Sequence, residues 1–186
     1  MILSDKTIRK FIEDGKLIEN PINIEESLQP ASYDITLGEQ FLVPVSNTGG
    51  SNTIDLKKEL KYKPIPLRTS PNGDTYVIIP AKAFVLAVTK EILQIPNGYT
   101  AFVEGRSSVG RAGLIIETAG LIDAFFRGTI TLELFNTTNY DMKIYPGMRI
   151  GQIAFHQNDK LSEKVYNGKY QGQIDVTGSR IDKDFK

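Results

Sequence analysis

Short runs of alternating apolar and polar residues, separated by glycine- and proline-containing turns, constrain the fold of this chain most strongly. In the first run, Tyr33, Ile35 and Leu37 alternate with polar residues. Further strand-like runs lie at residues 76–79, 83–88, 99–103, 113–116, 129–135, 142–145 and 150–155. A period of two is typical of strands with one buried face. The pattern therefore predicts a mostly β fold, either a barrel or a jelly-roll-like sandwich.

The two ends of the chain depart from this strand pattern. Near the N-terminus, Ser4 occupies the N-cap position of a predicted helix whose apolar residues share one face, and Gly15 marks its end. From residue 157 onward the chain is polar and rich in glycine. We interpret residues 157–186, the C-terminal tail, as either a frayed terminus or a lid that orders over a site. The 186 residues together predict a single domain.

The composition excludes several classes of function. The chain has no Cys and one His, which rules out sites built from thiolates or from several histidines. We assign no role to that histidine, His156. Because 22 Lys and Arg balance 22 Asp and Glu, no general attraction for nucleic acid or an anionic membrane is expected. The absence of an apolar leader and of a membrane-length apolar segment predicts a cytoplasmic protein.

Residues 105–113 carry the clearest chemical signal. They read Gly-Arg-Ser-Ser-Val-Gly-Arg-Ala-Gly, so glycines let backbone N–H groups approach a ligand while Arg106 and Arg111 supply positive charge. Such a segment can bind phosphates, or it can be a tight connection whose arginines pair with carboxylates. Its spacing imitates a P-loop, but Arg111 and Ala112 stand where that motif needs Lys and Ser or Thr. A P-loop nucleoside triphosphatase is therefore excluded.

Two carboxylates further along the chain are candidates for proton transfer. Glu133 alternates with Leu132 and Leu134, so it projects from the opposite face of its strand. Apolar surroundings raise the pKa of a carboxyl group, which suits a group that takes and returns protons near neutral pH. The alternative is a solvated Glu on an exposed strand. Asp123 could reach the same pocket through a hairpin, or it could simply form a turn.

Several blocks of sequence, in order along the chain, resemble the dCTP deaminases of the trimeric dUTPase superfamily. The main blocks are residues 105–113, 118–123 (Thr-Ala-Gly-Leu-Ile-Asp), 130–134 (Ile-Thr-Leu-Glu-Leu) and 145–152 (Tyr-Pro-Gly-Met-Arg-Ile-Gly-Gln). The N-terminal helix and residues 29–34, 169–173 and 179–181 are also similar. The resemblance implies a distorted β-barrel of the dUTPase-like (β-clip) type with an N-terminal helix and a flexible C-terminal tail. It also implies a homotrimer with active sites between subunits that the tail closes.

The resemblance implies hydrolytic, zinc-independent deamination of dCTP in pyrimidine deoxynucleotide metabolism toward dTMP. The composition agrees, because zinc deaminases need His and Cys ligands that this chain lacks. The implied cofactor is Mg²⁺, held through the triphosphate and water and not by protein side chains. The implied ligands are dCTP and dUTP as substrates and dTTP as a feedback inhibitor.

The resemblance also implies a role for particular residues. Glu133 takes a proton from water and delivers one to the ammonia that leaves C4 of cytosine, while Ser107 and Arg111 position the water. The triphosphate contacts are Arg106, Ser108, the backbone of Val109 and Gly110, Gln152, Tyr166 and Lys169. Asp123 lies near the deoxyribose 3′-hydroxyl. The pyrimidine edge is read by the backbone of Thr131 and Leu132 and by Gln173.

Some members of the family release dUTP, whereas others hydrolyse it in the same site to dUMP and pyrophosphate. Gly120-Leu121 resembles the two-step members, in which Asp123 is the implied base for the second water. Phe125, however, stands where the family usually has glycine, and a positive φ there would strain a Phe or rearrange the loop. A deaminase that releases dUTP, a dUTP pyrophosphatase without deamination and a nucleotide-binding regulator on this fold are the alternatives.

Overall fold

The computed structural model describes residues 1–117 and 120–186. Its helices are α1 Asp5–Glu13, α2 Ile24–Ser27 and α3 Ser107–Arg111, with a 3-10 helix at Ile181–Phe185. Its strands are β1 Leu17–Ile18, β2 Leu28–Gln29, β3 Ser32–Val45, β4 Lys61–Pro64, β5 Arg68–Thr69, β6 Thr75–Ile79, β7 Phe84–Thr89, β8 Leu93–Gln94, β9 Tyr99–Gly105, β10 Leu114–Glu117, β11 Leu121–Ile122, β12 Arg127–Gly128, β13 Thr131–Asn136, β14 Met142–Ile144 and β15 Arg149–Gln157. Thr118 and Ala119, from the block at 118–123, lie outside the described residues. In the described part, no helix has the length and hydropathy to cross a membrane.

One antiparallel sheet organises the chain. Its strands follow the order β10-β13-β7-β3-β15-β9-β11, and β2 and β4 also pair with β3. β10 and β11 stand at opposite ends of this order, yet β10 ends at Glu117 and β11 begins at Leu121. So few residues between the two ends force the sheet to curl until its edges are neighbours. The mostly β, barrel-like prediction is confirmed.

β3 is buried on both faces, which differs from the half-exposed strand that its alternation predicts. Asp34 is 2% exposed and Thr36 is 4% exposed, because Arg106 and Arg149 contact Asp34 and Glu91 contacts Thr36 on that face. Each buried polar group has a partner, as buried polar groups require. The carboxylate of Glu91 accepts from Thr36 N and Thr36 Oγ1 at 3.0 and 2.9 Å. Asp34 pairs with arginines described below.

The other predicted strands correspond to β6, β7, β9, β10, β13, β14 and β15. α1 begins after Ser4, as predicted, and its buried residues Ile8 and Ile12 join the core. Two boundaries differ from prediction. β10 starts at Leu114 because Gly113, at φ +90°, belongs to the preceding turn, and β13 starts at Thr131 because Thr129 pairs with the tail.

β3 and β7 approach closely at Gly38. A Cβ atom there would lie 2.7 Å from Val88 Cγ1 and 2.8 Å from the carbonyl oxygen of Val88. Backbone cannot move aside as a flexible side chain can. Glycine therefore allows this strand pair to form at the centre of the sheet.

We expect Gly38→Ala to lower the free energy of unfolding by about 1–3 kcal/mol, because its methyl group forces β3 from β7. Urea denaturation measures the change. The matched control is Gly105→Ala on β9, where a Cβ would meet nothing within 4 Å, and it should change stability by less than about 0.5 kcal/mol. Equal losses in both variants would contradict this account of the strand contact.

Candidate functional site

A cavity of about 630 Å³ lies in the hollow of the curled sheet, within the usual size range of ligand sites. One wall comes from β7, β10 and β13, and another from β9 and residues 120–123. The connection between β3 and β4 and the C-terminal tail complete it. Most of the lining is apolar, but Glu117, Asp123 and Glu133 face into it. No Lys, Arg or His is among the described residues that line the cavity.

Glu133 lies in the middle of this wall. On β13 it stands opposite Leu86 of β7 and Glu117 of β10, while Leu132 and Leu134 on the other face are buried in the core. Glu133 is half-buried, so it is not a solvated side chain on an exposed strand. Burial raises the pKa of Glu133, and the neighbouring charge of Glu117 raises it further. A carboxyl group of this kind can exchange protons nearer neutral pH than an ordinary glutamate.

Asp123 begins a tight turn at the edge of the cavity. Its carbonyl oxygen accepts a hydrogen bond from Phe126 N at 3.2 Å, and Phe125 has φ +70°. A positive φ at the third position is typical of a type II turn and normally needs glycine. Phe125 N donates to Ile95 O at 2.8 Å, and Gln171 Nε2 donates to Phe125 O at 2.8 Å. The chain therefore keeps the turn with a strained Phe, and Asp123 stays on the cavity wall.

The C-terminal tail lies across the cavity and pairs with the segment that follows this turn. Gly172 N donates to Arg127 O at 2.8 Å, and Thr129 N donates to Gln173 O at 2.9 Å. The Gln173 side chain donates to Thr129 O at 2.8 Å. Within the described residues, Gln173 Oε1 is buried without a hydrogen-bond partner. A ligand that brings a donor into the cavity could satisfy this oxygen.

Arg106 lies in a second cluster, outside the cavity lining, at the start of α3. Asp34 Oδ2 is 3.4 Å from Arg106 Nε and 3.4 Å from Arg149 Nη1. Burial raises the pKa of Asp34, although both arginines act in the opposite direction. The backbone amides of Val109 and Gly110 each donate to Arg106 O at 3.0 Å. These two amides are engaged within α3, which the sequence predicted as a loop.

The predicted site residues divide into those that line the cavity and those that do not. Those that line the cavity are Asp123, Thr131, Leu132, Glu133, Tyr166 and Gln173. Those outside its lining are Arg106, Ser107, Ser108, Val109, Gly110, Arg111, Gln152 and Lys169. Gln152 stands opposite Asp34 in the sheet, and Lys169 pairs with Asp184 within the tail. Tyr166 packs edge-to-face on Phe126, with ring centroids 5.8 Å apart.

Sequence reasoning missed Glu117, Asp34 and Arg149. Asp34 looked like an exposed residue of an alternating strand, and its burial depends on strands distant in sequence. Glu117 shares the cavity wall with Glu133 only because β10 pairs with β13. The one local signal for Glu117 was a charged residue directly before the block at 118–123.

Comparison with known proteins identifies the family. The model of the protein family described as dCTP deaminase-like matches residues 2–158. The chain belongs to this family. A relative of this dCTP deaminase-like chain from a Sulfurihydrogenibium species, named "dCTP deaminase, dUMP-forming", is 46% identical over 181 residues and covers 97% of each chain. A relative of the same name from Persephonella marina is 44% identical over 188 residues, covering 99% of this chain and 100% of its own.

The fold agrees with a solved structure. The 2'-deoxycytidine 5'-triphosphate deaminase from Agrobacterium tumefaciens matches with a TM-score of 0.61 and 24% identity. The match covers 84% of this dCTP deaminase-like chain and 48% of that chain. The predicted fold class and the family resemblance are both confirmed.

Gly128 lets the tail approach, which gives a test of tail docking. A Cβ there would lie 2.5 Å from the carbonyl oxygen of Gln173, so we expect Gly128→Ala to break the pairing between the tail and residues 127–129. Hydrogen exchange at the amide of Gly172, which bonds to Arg127 O, should then accelerate at least about tenfold.

The matched control for this tail experiment is Gly73→Ala. Gly73 also has a positive φ, +88°, but a Cβ there meets nothing within 4 Å. The Gly73→Ala variant should have similar backbone strain but leave the tail in place, so hydrogen exchange at the amide of Gly172 should stay unchanged. Unchanged exchange in Gly128→Ala would show that the tail does not dock as described.

Proposed function

We propose that this chain deaminates dCTP to dUTP and then hydrolyses dUTP to dUMP and pyrophosphate. One observation carries the proposal: Glu133 is a half-buried carboxylate that faces an apolar cavity. The names of the full-length relatives support both steps. Each step consumes one water, the first releasing ammonia and the second releasing pyrophosphate.

In the first step, the water oxygen bonds to C4 of cytosine while Glu133 accepts a proton from that water. Glu133 then delivers a proton to the exocyclic nitrogen, the C4–N bond breaks and ammonia leaves. C4 keeps the oxygen as a carbonyl, and the second hydrogen of the water ends on ring N3. The raised pKa of Glu133 suits a group that must be base and acid in turn. Ser107 and Arg111 position the water.

In the second step, Asp123 accepts a proton from a water that attacks the α-phosphorus. The bond from the α-phosphorus to the bridging oxygen breaks, and pyrophosphate leaves. The place of Asp123 on the cavity wall and the turn around Phe125 support this role. Asp123 also lies near the 3′-hydroxyl of deoxyribose in the proposed complex.

The base and sugar occupy the cavity under the tail, which closes as a lid. The backbone of Thr131 and Leu132, which lies on the cavity wall, reads the pyrimidine. Gln173 Oε1, buried and lacking a partner among the described residues, accepts a hydrogen bond from the base. Tyr166 and Lys169 contribute from the tail. Inhibition by dTTP and a cytoplasmic location stay predictions from the resemblance.

The triphosphate binds at α3. Two arginines on one buried Asp34 leave net positive charge there, which suits a polyanion. Arg106, Ser108 and Gln152 contact phosphate oxygens, and the residues around Val109 and Gly110 form the surface beneath them. α3 offers hydroxyl and cationic donors to phosphate oxygens and has no carboxylate, so a magnesium ion would be held through the phosphates and water. When bound, Mg²⁺ neutralises phosphate charge.

Two chains build each site. The α3 residues do not line the cavity of their own chain among the residues described, so a neighbouring copy supplies Arg111 to the water beside Glu133. The assembly is a homotrimer, as the resemblance implies.

We expect the purified chain with dCTP and magnesium to yield dUMP, pyrophosphate and ammonia, resolved by anion-exchange chromatography. Glu133→Gln should lower ammonia release by at least about a hundredfold, because it removes the proton carrier. It should still convert dUTP to dUMP. The matched control is Glu13→Gln, at an exposed glutamate on α1, which should behave as the unmodified chain. Accumulated dUTP would contradict the second step, and untouched dCTP would contradict the first.

Mixed oligomers test the shared site. Glu133→Gln and Arg111→Ala should each be inactive as pure proteins, whereas co-assembly at equal amounts should restore deamination in about a quarter of the sites, because some sites receive both intact residues. Ammonia release measures this. A mixture no more active than the sum of its parts would place Glu133 and Arg111 in a site within one chain.

A further inference from the structure

A second carboxylate faces the cavity beside Glu133, and the reaction as proposed gives it no role. Glu117 is the last residue of β10 and stands opposite Glu133 of β13 in the antiparallel register. Both side chains line the cavity. Residues directly opposite in antiparallel strands share one face of the sheet, with Cβ atoms about 4.5–5.5 Å apart. Glu117 is itself exposed, but a negative charge this close disfavours ionisation of the half-buried Glu133.

The surroundings of the pair do not compensate its charge. On the other side of Glu133, β7 contributes the apolar Leu86. The other titratable groups on the cavity walls are Asp123, Tyr62, Tyr166 and Tyr170. None of these supplies positive charge, and no lysine, arginine or histidine lines the described part of the cavity. Within one chain, the negative charge of Glu117 therefore acts on Glu133 with no compensating cation among the described lining residues.

We propose that Glu117 is a further functional residue of the deamination site, whose negative charge helps Glu133 hold the proton of the attacking water until ammonia leaves. The inference rests on the deamination proposed above and deepens it. The proton passes from the water to Glu133 and then to the departing nitrogen, so Glu133 ends as it began. Glu117 acts through Glu133 and is a positioning residue. The contribution of Glu117 to the raised pKa of Glu133, second to burial, agrees with this.

The pH dependence follows from the charge of Glu117. Glu133 must be ionised to accept the proton of water, so kcat/KM rises with pH through the pKa of Glu133. A negative neighbour raises that pKa, and its removal must move the acidic limb to lower pH. An arginine from an adjacent copy favours ionised Glu133 in the unmodified chain and in the variant alike. Its effect cancels in the comparison.

The test is the pH profile of ammonia release from dCTP by the assembled protein. In Glu117→Gln the midpoint of the acidic limb should fall by about one pH unit. Glu117→Asp keeps the charge, and Glu13→Gln removes a distant exposed one. Both should keep the limb of the unmodified protein. A limb in Glu117→Gln that coincides with these controls would overturn the inference and leave the deamination itself intact.

A second measurement needs no variant at residue 117. Carboxyl-carbon NMR titration of the unmodified protein, with the signal of Glu133 assigned by its loss in Glu133→Gln, should show Glu133 titrating above the ordinary glutamate value. Titration of Glu133 at the ordinary glutamate value would overturn the inference. This readout does not require turnover. If the protein released no ammonia from dCTP, the proposed function would fail while the carboxylate pair was still judged independently.

Discussion

The register of β13 between β7 and β10 decides where the carboxylate of Glu133 stands. Leu132 and Leu134 fill the core at 1% and 0% exposure, so the strand cannot slip by one residue without burying Glu133 and exposing both leucines. The same register places Glu117 opposite Glu133. The cavity wall and the carboxylate pair both follow from this one pairing.

The turn at Phe125 and the C-terminal tail stabilise each other. A non-glycine residue at φ +70° costs on the order of 1–3 kcal/mol. The tail offsets part of this cost, because Gln171 donates to Phe125 O and accepts from Arg127 N at 3.0 Å, and hydrogen bonds contribute about 1 kcal/mol each. A strained turn held by the tail couples the position of Asp123 to closure of the cavity.

Local sequence pattern predicted what depends on neighbours along the chain. The face of Glu133 follows from alternation with two leucines. The strained turn at Phe125 was expected from the family resemblance, because Phe125 stands where the family usually has glycine. What depends on pairing across the sheet was not predictable in this way. Asp34 alternates like an exposed residue yet is buried between two arginines, and Glu117 meets Glu133 only through tertiary structure. The sequence of residues 105–113 did not predict the helix α3, in which two of the backbone amides of this block are engaged.

A structure of the Glu133→Gln oligomer with dCTP and magnesium tests the central claim most directly. The account predicts the cytosine in the cavity, with C4 next to residue 133 and Gln173 at the base edge. It predicts the triphosphate on Arg106 and its neighbours from another chain. A nucleotide bound outside the cavity, or one whose base and phosphates both contact a single chain, would contradict the account.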